Sequence, residues 1–93
     1  MNATRNDIID FDCGIAMNRI TAWLTDELSL PVENGTWIYS AGPRTCRIEV
    51  HPLQSRTLGA VNLERTHFMA RGDAESIAAL RKLFTLRFMS AGG

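Results

Sequence analysis

The last third of the chain, from Leu63 to Gly93, most constrains the fold. A strand-like stretch leads into Arg71-Gly72-Asp73, and a long apolar run then ends in Ala91-Gly92-Gly93. No proline or glycine interrupts residues 74–89, so nothing there breaks a helix. Wound at about 100° per residue, Ile77, Leu80, Leu83, Phe84 and Phe88 share one arc with Leu86 at its edge. Glu75, Lys82 and Thr85 lie opposite. Asp73 is placed to cap the helix, and Glu75 falls in its first turn, where the dipole favours a carboxylate. Such a helix must bury its stripe against a second layer, which the rest of the chain has to supply.

Arg87 is the discordant residue. In a helix it falls on the apolar arc near the C-terminal end, where a cation is favoured and its long stem can reach water. If Phe84–Met89 is a strand instead, Thr85 and Arg87 share its polar side. The helix is the preferred reading, because no turn separates a helical part from a strand part.

Residues 14–29 form the other helix. Ala16, Met17, Ile20, Trp23, Leu24 and Leu28 share a face, Asp12 is placed as its N-cap, and Pro31 stops it. Its last turn carries Asp26 and Glu27, the wrong sign for the dipole, so a cation from elsewhere is expected there. Ile8, Ile9 and Phe11 mark a short first strand or an ordered arm.

Three further stretches read as strands. Residues 36–41 are rich in β-formers. Residues 45–51 alternate, with Cys46, Ile48 and Val50 on one face and Arg47, Glu49 and His51 on the other. Gly42-Pro43 turns the chain between these two, and Asn34-Gly35 is a turn before them. Pro52 is expected to end the second strand, leaving Leu53–Leu58 as a loop. In residues 59–70, Val61 and Leu63 take the inward parity, and then Arg65 and His67 take it too. A β-bulge near Arg65-Thr66 would return Phe68 to the core.

The order (β)-α-β-β-β-α predicts an α+β two-layer sandwich, with an antiparallel sheet of three or four strands and two helices on one face. A length of 93 residues predicts one domain, with residues 1–6 disordered and 91–93 a frayed tail. Hydrophobic residues at 45% and charged residues at 22% are globular values.

The net charge is zero but unevenly spread. Residues 1–50 hold seven acids and four bases, and residues 51–93 hold six bases and three acids. The halves of such a chain can pair internally or with a second copy. Met1 to Asp12 has no apolar stretch of the signal-peptide kind, and no run is long enough to span a membrane. The expectation is a cytoplasmic protein with reduced thiols.

No catalytic constellation stands out. Cys13, Cys46, His51 and His67 have no local ligand spacing, so neither a metal nor a cofactor is expected, and a Cys–His nucleophile pair has no signature. Asp10 and Asp12 share a strand parity and read most simply as solvated carboxylates. Arg71-Gly72-Asp73 is a turn plus helix cap. Trp37 and Tyr39 share one parity and Ile38 takes the other. Packing is the preferred reading for the two aromatics. If they are exposed instead, they mark a partner surface with Arg47 and His51, to which Arg65, His67 and Arg87 add further candidates.

Two family resemblances follow from these segments. The terminal Gly92-Gly93 resembles the activated tails of ubiquitin-like sulfur carriers. In those, a strand leads into the tail and the glycines thread a channel too narrow for a Cβ. The order α-β-β-β-α resembles the double-stranded-RNA-binding domain, whose second helix opens with lysines. Here it opens with Asp73 and Glu75, which repel phosphates. The leading expectation is a small non-enzymatic binding or accessory module acting through protein–protein association, as a homodimer or with another protein. A Gly-Gly carrier is the alternative, and an RNA-binding domain comes after it.

Overall fold

A computed structural model describes residues 5–89. Its elements are β1 (Asn6–Cys13), α1 (Met17–Ala22), β2 (Val32–Glu33), β3 (Thr36–Ala41), β4 (Arg44–Leu58), β5 (Val61–Asp73) and α2 (Ala74–Phe88). The fold is α+β, with one antiparallel sheet of five strands in the order β1-β5-β4-β3-β2. The segment of Ile8, Ile9 and Phe11 is a strand rather than an arm, and the strand beyond the expected three or four is the two-residue β2, formed where Asn34-Gly35 turns the chain back on β3. Asn34 and Gly35 both have positive φ, at 52° and 79°. A two-residue hairpin loop of the type that matches strand twist requires this at both positions.

Both helices pack on one face of the sheet. Ile20, Trp23 and Leu24 from the first helical segment and Ile77, Leu80 and Phe84 from α2 are buried against Ile9, Cys46, Ile48, Val50, Phe68 and Ala70. Phe84 sits at the centre, with ring centroids 4.9 Å from Phe68, 5.3 Å from Phe11 and 5.7 Å from Trp23. The expected arc of α2 is thus the arc that is buried.

The helix of residues 14–29 is shorter than expected and differently capped. Cys13 is still paired with Thr66 in the sheet, so residues 14–16 are used in leaving it. The N-cap is Ala16, which makes no side-chain bond, while Asp12 stays in β1. Past Ala22 the helix widens into a π-helical turn, Trp23–Glu27, in which the Leu28 amide donates 2.9 Å to the Trp23 carbonyl.

Two expectations about β4 and β5 are overturned. Pro52 does not end β4, and Leu53–Leu58 is strand rather than loop. Beyond Ile48 the β3 side of β4 is unpaired among the described residues, and proline is tolerated on an open edge. The bulge lies in β4, not β5. Leu53 pairs with Arg65 and Arg56 with Leu63, so two residues of β4 face one of β5. The phase of β5 is therefore unbroken: Thr66, Phe68 and Ala70 face the helices and are buried. Val61 and Leu63 lie on the other face, 56% and 41% exposed.

β4 and β5 also outrun the rest of the sheet. β1 pairs with β5 no further than Thr66, and β3 with β4 no further than Ile48. The ribbon from Leu53 to Leu63 projects alone, by about 17 Å at the usual strand rise. It stretches the molecule to 57 × 33 × 23 Å with a radius of gyration of 14.4 Å, where a compact chain of this length reaches about 12 Å.

Candidate functional site

Strand register decides which side chains meet on the sheet face away from the helices. One row runs Ile8, Arg71, Arg47, Ile38, and the row of Asp12, His67 and His51 crosses the same face. Arg65 and Leu53 pair one row further toward the projecting ribbon. Of the sequence candidates, Arg47, His51, Arg65 and His67 thus come together. Trp37 and Tyr39 do not join them. They pair with Ile48 and Cys46 and pack on the helix side, where the Trp37 indole donates 3.1 Å to the Thr25 hydroxyl. Arg87 lies in the helix layer, bonded to Glu27.

The charges on the open face are interleaved. The His67 ring lies between two carboxylates, with Nδ1 2.6 Å from Asp12 Oδ1 and Nε2 3.1 Å from Asp10 Oδ1. A neutral imidazole donates from one nitrogen only, so this geometry suits the imidazolium. The hydrogen bond with Asp12 is the main cause that holds the His67 pKa above its ordinary value, and the charges of Asp10, Asp12 and Glu49 add to it against desolvation. Arg65 reaches Asp12 at 3.7 Å, Arg47 reaches Glu33 at 3.7 Å, and His51 meets Glu49 at 3.1 Å. A face of mixed sign is unlike the basic stripe that tracks a phosphate backbone.

The cysteines and histidines are on opposite faces of the sheet. Cys46 is buried under the helices, where burial pushes its thiol pKa up, and Cys13 shares that side, opposite Thr66. His51 and His67 face away. The sheet itself keeps a Cys–His pair from forming. Among the described residues no cluster of three or more His, Cys, Asp or Glu side chains converges to hold a metal.

The strand reading of Phe84–Met89 is overturned, because α2 runs unbroken to Phe88. Gly92 and Gly93 lie outside the described residues. No described helix is long and apolar enough to cross a membrane.

The feature that sequence reasoning missed is the projecting ribbon. Its one face carries Arg56, Leu58, Val61 and Leu63, paired as Arg56 with Leu63 and Leu58 with Val61. Thr57 and Asn62, also paired, take the other face. Leu58 is 58% exposed, among the most exposed large apolar residues described. The signal was present as alternation on both sides of Gly59-Ala60, but Pro52 and the shifted phase concealed it. At the base of the ribbon, where β1 ends, an apolar hollow of about 520 Å³ opens between the strand end and the last turn of α2. Among the described residues Phe11, Cys13, Ile15, Phe84, Phe88 and Met89 line it together with the strand end Asp12–Gly14, whose Asp12 carboxylate is turned to the other face, toward His67 and Arg65. A smaller hollow of about 260 Å³ continues from Asp12–Gly14 to Arg56, Leu63 and Arg65. No protein-family model, curated protein or solved structure matches this chain.

Proposed function

We propose that the protein is a non-catalytic association module whose working element is the β4–β5 ribbon, and that it assembles with a second copy of itself. One observation carries this reading: the ribbon leaves the two-layer core and exposes Leu58, Val61 and Leu63 on one face. A lone two-stranded ribbon is marginal in water. Its unpaired edges and apolar face are the features that strand-adding and face-packing partners use. The dipolar charge of the chain suits a second copy, since each half meets the opposite sign in its partner.

Sedimentation velocity of the wild type and of a Leu58→Ser/Val61→Ser/Leu63→Ser variant, over a wide concentration range, tests the reading. The expected result is a concentration-dependent dimer that the triple variant loses while its circular dichroism stays native. A dimer that survives the triple variant would remove the ribbon from the interface, and a wild type monomeric throughout would overturn self-association.

A further inference from the structure

We infer that the free β5 edge of the ribbon is the edge of self-association: two copies pair antiparallel there about a twofold axis through Asn62, and the two ribbons become one four-stranded sheet. This rests on the association reading above and names the surface and the register it uses.

The ribbon has two free edges, and they are not alike. On the β4 edge, unpaired beyond Ile48 among the described residues, Pro52 offers no N–H and the bulge between Leu53 and Arg56 breaks the ladder. Proline and a bulge are devices that keep an edge from taking on another strand. The β5 edge, Val61 to Arg65, is open because β1 stops at Cys13 opposite Thr66. Its sequence, Val-Asn-Leu-Glu-Arg, holds no proline, glycine or lysine. One edge is blunted and the other is not.

Side-chain parity and sterics then select the register. A twofold axis across this edge keeps both open faces on one side of the joined sheet, so residues of like face must sit opposite each other. Any register centred on a residue meets that condition. A centre at Glu64 sets two carboxylates directly opposite, which is destabilising. A centre at Leu63 brings Ala60 of one copy to the place opposite Thr66 that Cys13 of the other already fills, and a centre at Arg65 drives the turn further into β1. A centre at Val61 leaves a single pair. A centre at Asn62 leaves three pairs and brings Ala60 only as far as Glu64, two places short of Thr66.

In that register Val61 of each copy lies opposite Leu63 of the other. A joined row on the open face then reads Leu58 and Val61 from one copy, Leu63 and Arg56 from the second. Apolar residues meet at the seam and no like charges are directly opposed. The tip is compact enough for this, since Leu58 pairs with Val61 across two residues, with Gly59 at φ 60°. A lone ribbon of two strands is marginal in water, whereas three or more strands with an apolar face can hold together.

Single cysteines at Val61, Asn62, Leu63 and Glu64, each in a Cys13→Ser background, read the register. Asn62 is the one position whose own copy lies directly opposite, about 4.5–5.5 Å away between Cα atoms, within the range of about 4.4–6.8 Å that a disulfide spans. Val61 and Leu63 are offset from their own copies by two residues, about 7 Å along the strand, and Glu64 by four, about 13 Å. The proteins are oxidised with copper–phenanthroline at concentrations where the wild type is dimeric, and products are resolved on non-reducing gels. Asn62→Lys and Asn62→Glu proteins give a second readout that needs no oxidant. Each alone opposes like charges at the axis, and their mixture opposes unlike ones.

The expected result is a covalent dimer from Asn62→Cys, in far higher yield than from the other three. Sedimentation should show dimerisation weakened in Asn62→Lys and in Asn62→Glu and restored in their mixture. A maximum yield at any other position overturns the register and the inference with it. Equal yields at all four mean random collision, and also overturn it. A sedimenting dimer that no position cross-links is joined through another surface, which overturns edge pairing while leaving self-association in place. A wild type monomeric at every concentration removes both readings together.

Discussion

The guanidinium of Arg87 grips the carboxylate of Glu27 through two hydrogen bonds, Nε to Oε1 at 2.9 Å and Nη2 to Oε2 at 3.1 Å. The pair ties the end of α2 to the acidic end of the first helical segment. It gives that segment the cation its dipole lacks. The guanidinium also lies 5.0 Å from the centre of the Phe88 ring, and Arg19 lies 5.6 Å from the same ring. Arg87 is therefore not a charge stranded on an apolar face. Its guanidinium lies over the Phe88 ring while the side chain stays 40% exposed.

Because both partners are exposed, the coupling is expected to be small and to weaken with added salt. The fork geometry matters more than the charge. In a double-mutant cycle with Glu27→Gln, Arg87→Lys should lose most of the coupling that Arg87 provides, since an ammonium cannot bond both oxygens in plane. The Arg87 hydrogen bond holds the Glu27 pKa below its ordinary value. A depressed carboxyl contributes stability that is present above its unfolded pKa, about 4.3, and is lost as pH falls through its folded value. Urea titrations at neutral and acid pH should show the coupling vanish on the acid side. Undiminished coupling in acid would mean the contact is not ionic.

Much of the fold was legible because burial follows period. The arc Ile77, Leu80, Phe84 and the alternation Cys46, Ile48, Val50 are both set by which side chains can leave water together. What the sequence concealed had local causes. Pro52 reads as a strand end unless the open edge beside it is known. Val61 and Leu63, apolar on the open face, give β5 an apparent break of phase that its unbroken alternation does not have, and the bulge in β4 leaves no mark in β5. The acidic end of the first helical segment pointed to a missing cation, but a separation of 60 positions from Glu27 to Arg87 carries no signal of the pairing. The ribbon face was hidden for the same reason. Leu58, Val61 and Leu63 are ordinary core residues by type, and only the absence of a facing layer, a tertiary fact, makes them a surface.

His67 should make the β1–β5 contact depend on pH. Its raised pKa means that the imidazolium bridge to Asp12 and Asp10 is fully stabilising below the unfolded histidine value, about 6.5. That contribution fades as pH rises through the higher folded value. Glu49 adds to the attraction; Arg65, bonded to Asp12, together with Arg47 and Arg71 bring guanidinium groups to this face, and the His51 ring lies directly across the strand pair. Thermal melts at about pH 6 and about pH 9 should therefore differ more for the wild type than for His67→Gln. An imidazole proton titration by NMR should give a midpoint above the ordinary one. A midpoint at or below it would mean that the bridge does not persist in solution.

Gly72 is required by close contact, in addition to a φ of 156° that side chains rarely adopt. A Cβ at this position would meet the Cys46 Cα at 2.5 Å and the Thr45 carbonyl oxygen at 2.5 Å. Both are backbone atoms of the neighbouring strand and cannot rotate away. Gly72→Ala must push β4 and β5 apart next to the Asp73 cap, which accepts from the Glu75 amide at 2.9 Å. The expected loss is about 3 kcal/mol, at the upper end for overpacking, read as a lower urea midpoint with an unchanged slope. A variant as stable as the wild type would mean that the strands separate here without cost.

Thr66 holds the corner where β1 gives way to the first helical segment. It is fully buried, and its hydroxyl donates 2.6 Å to the Ile15 carbonyl, fixing the turn that shapes one wall of the apolar hollow. Thr66→Val keeps the shape and removes the donor. A half-buried carbonyl left without its partner costs as much as about 1–3 kcal/mol where water does not reach it. Thr66→Ser keeps the donor and loses one methyl, which costs about 1 kcal/mol when the site cannot collapse. The serine variant should therefore be the more stable of the two, the reverse of the order that apolar burial alone gives. The hydrogen bond also predicts a second readout. With the corner released, Cys13 should alkylate faster in Thr66→Val than in the wild type and stay near the wild-type rate in Thr66→Ser. If the valine variant is the more stable, or if Cys13 reacts alike in all three, the corner is held by packing and not by the Thr66 hydroxyl.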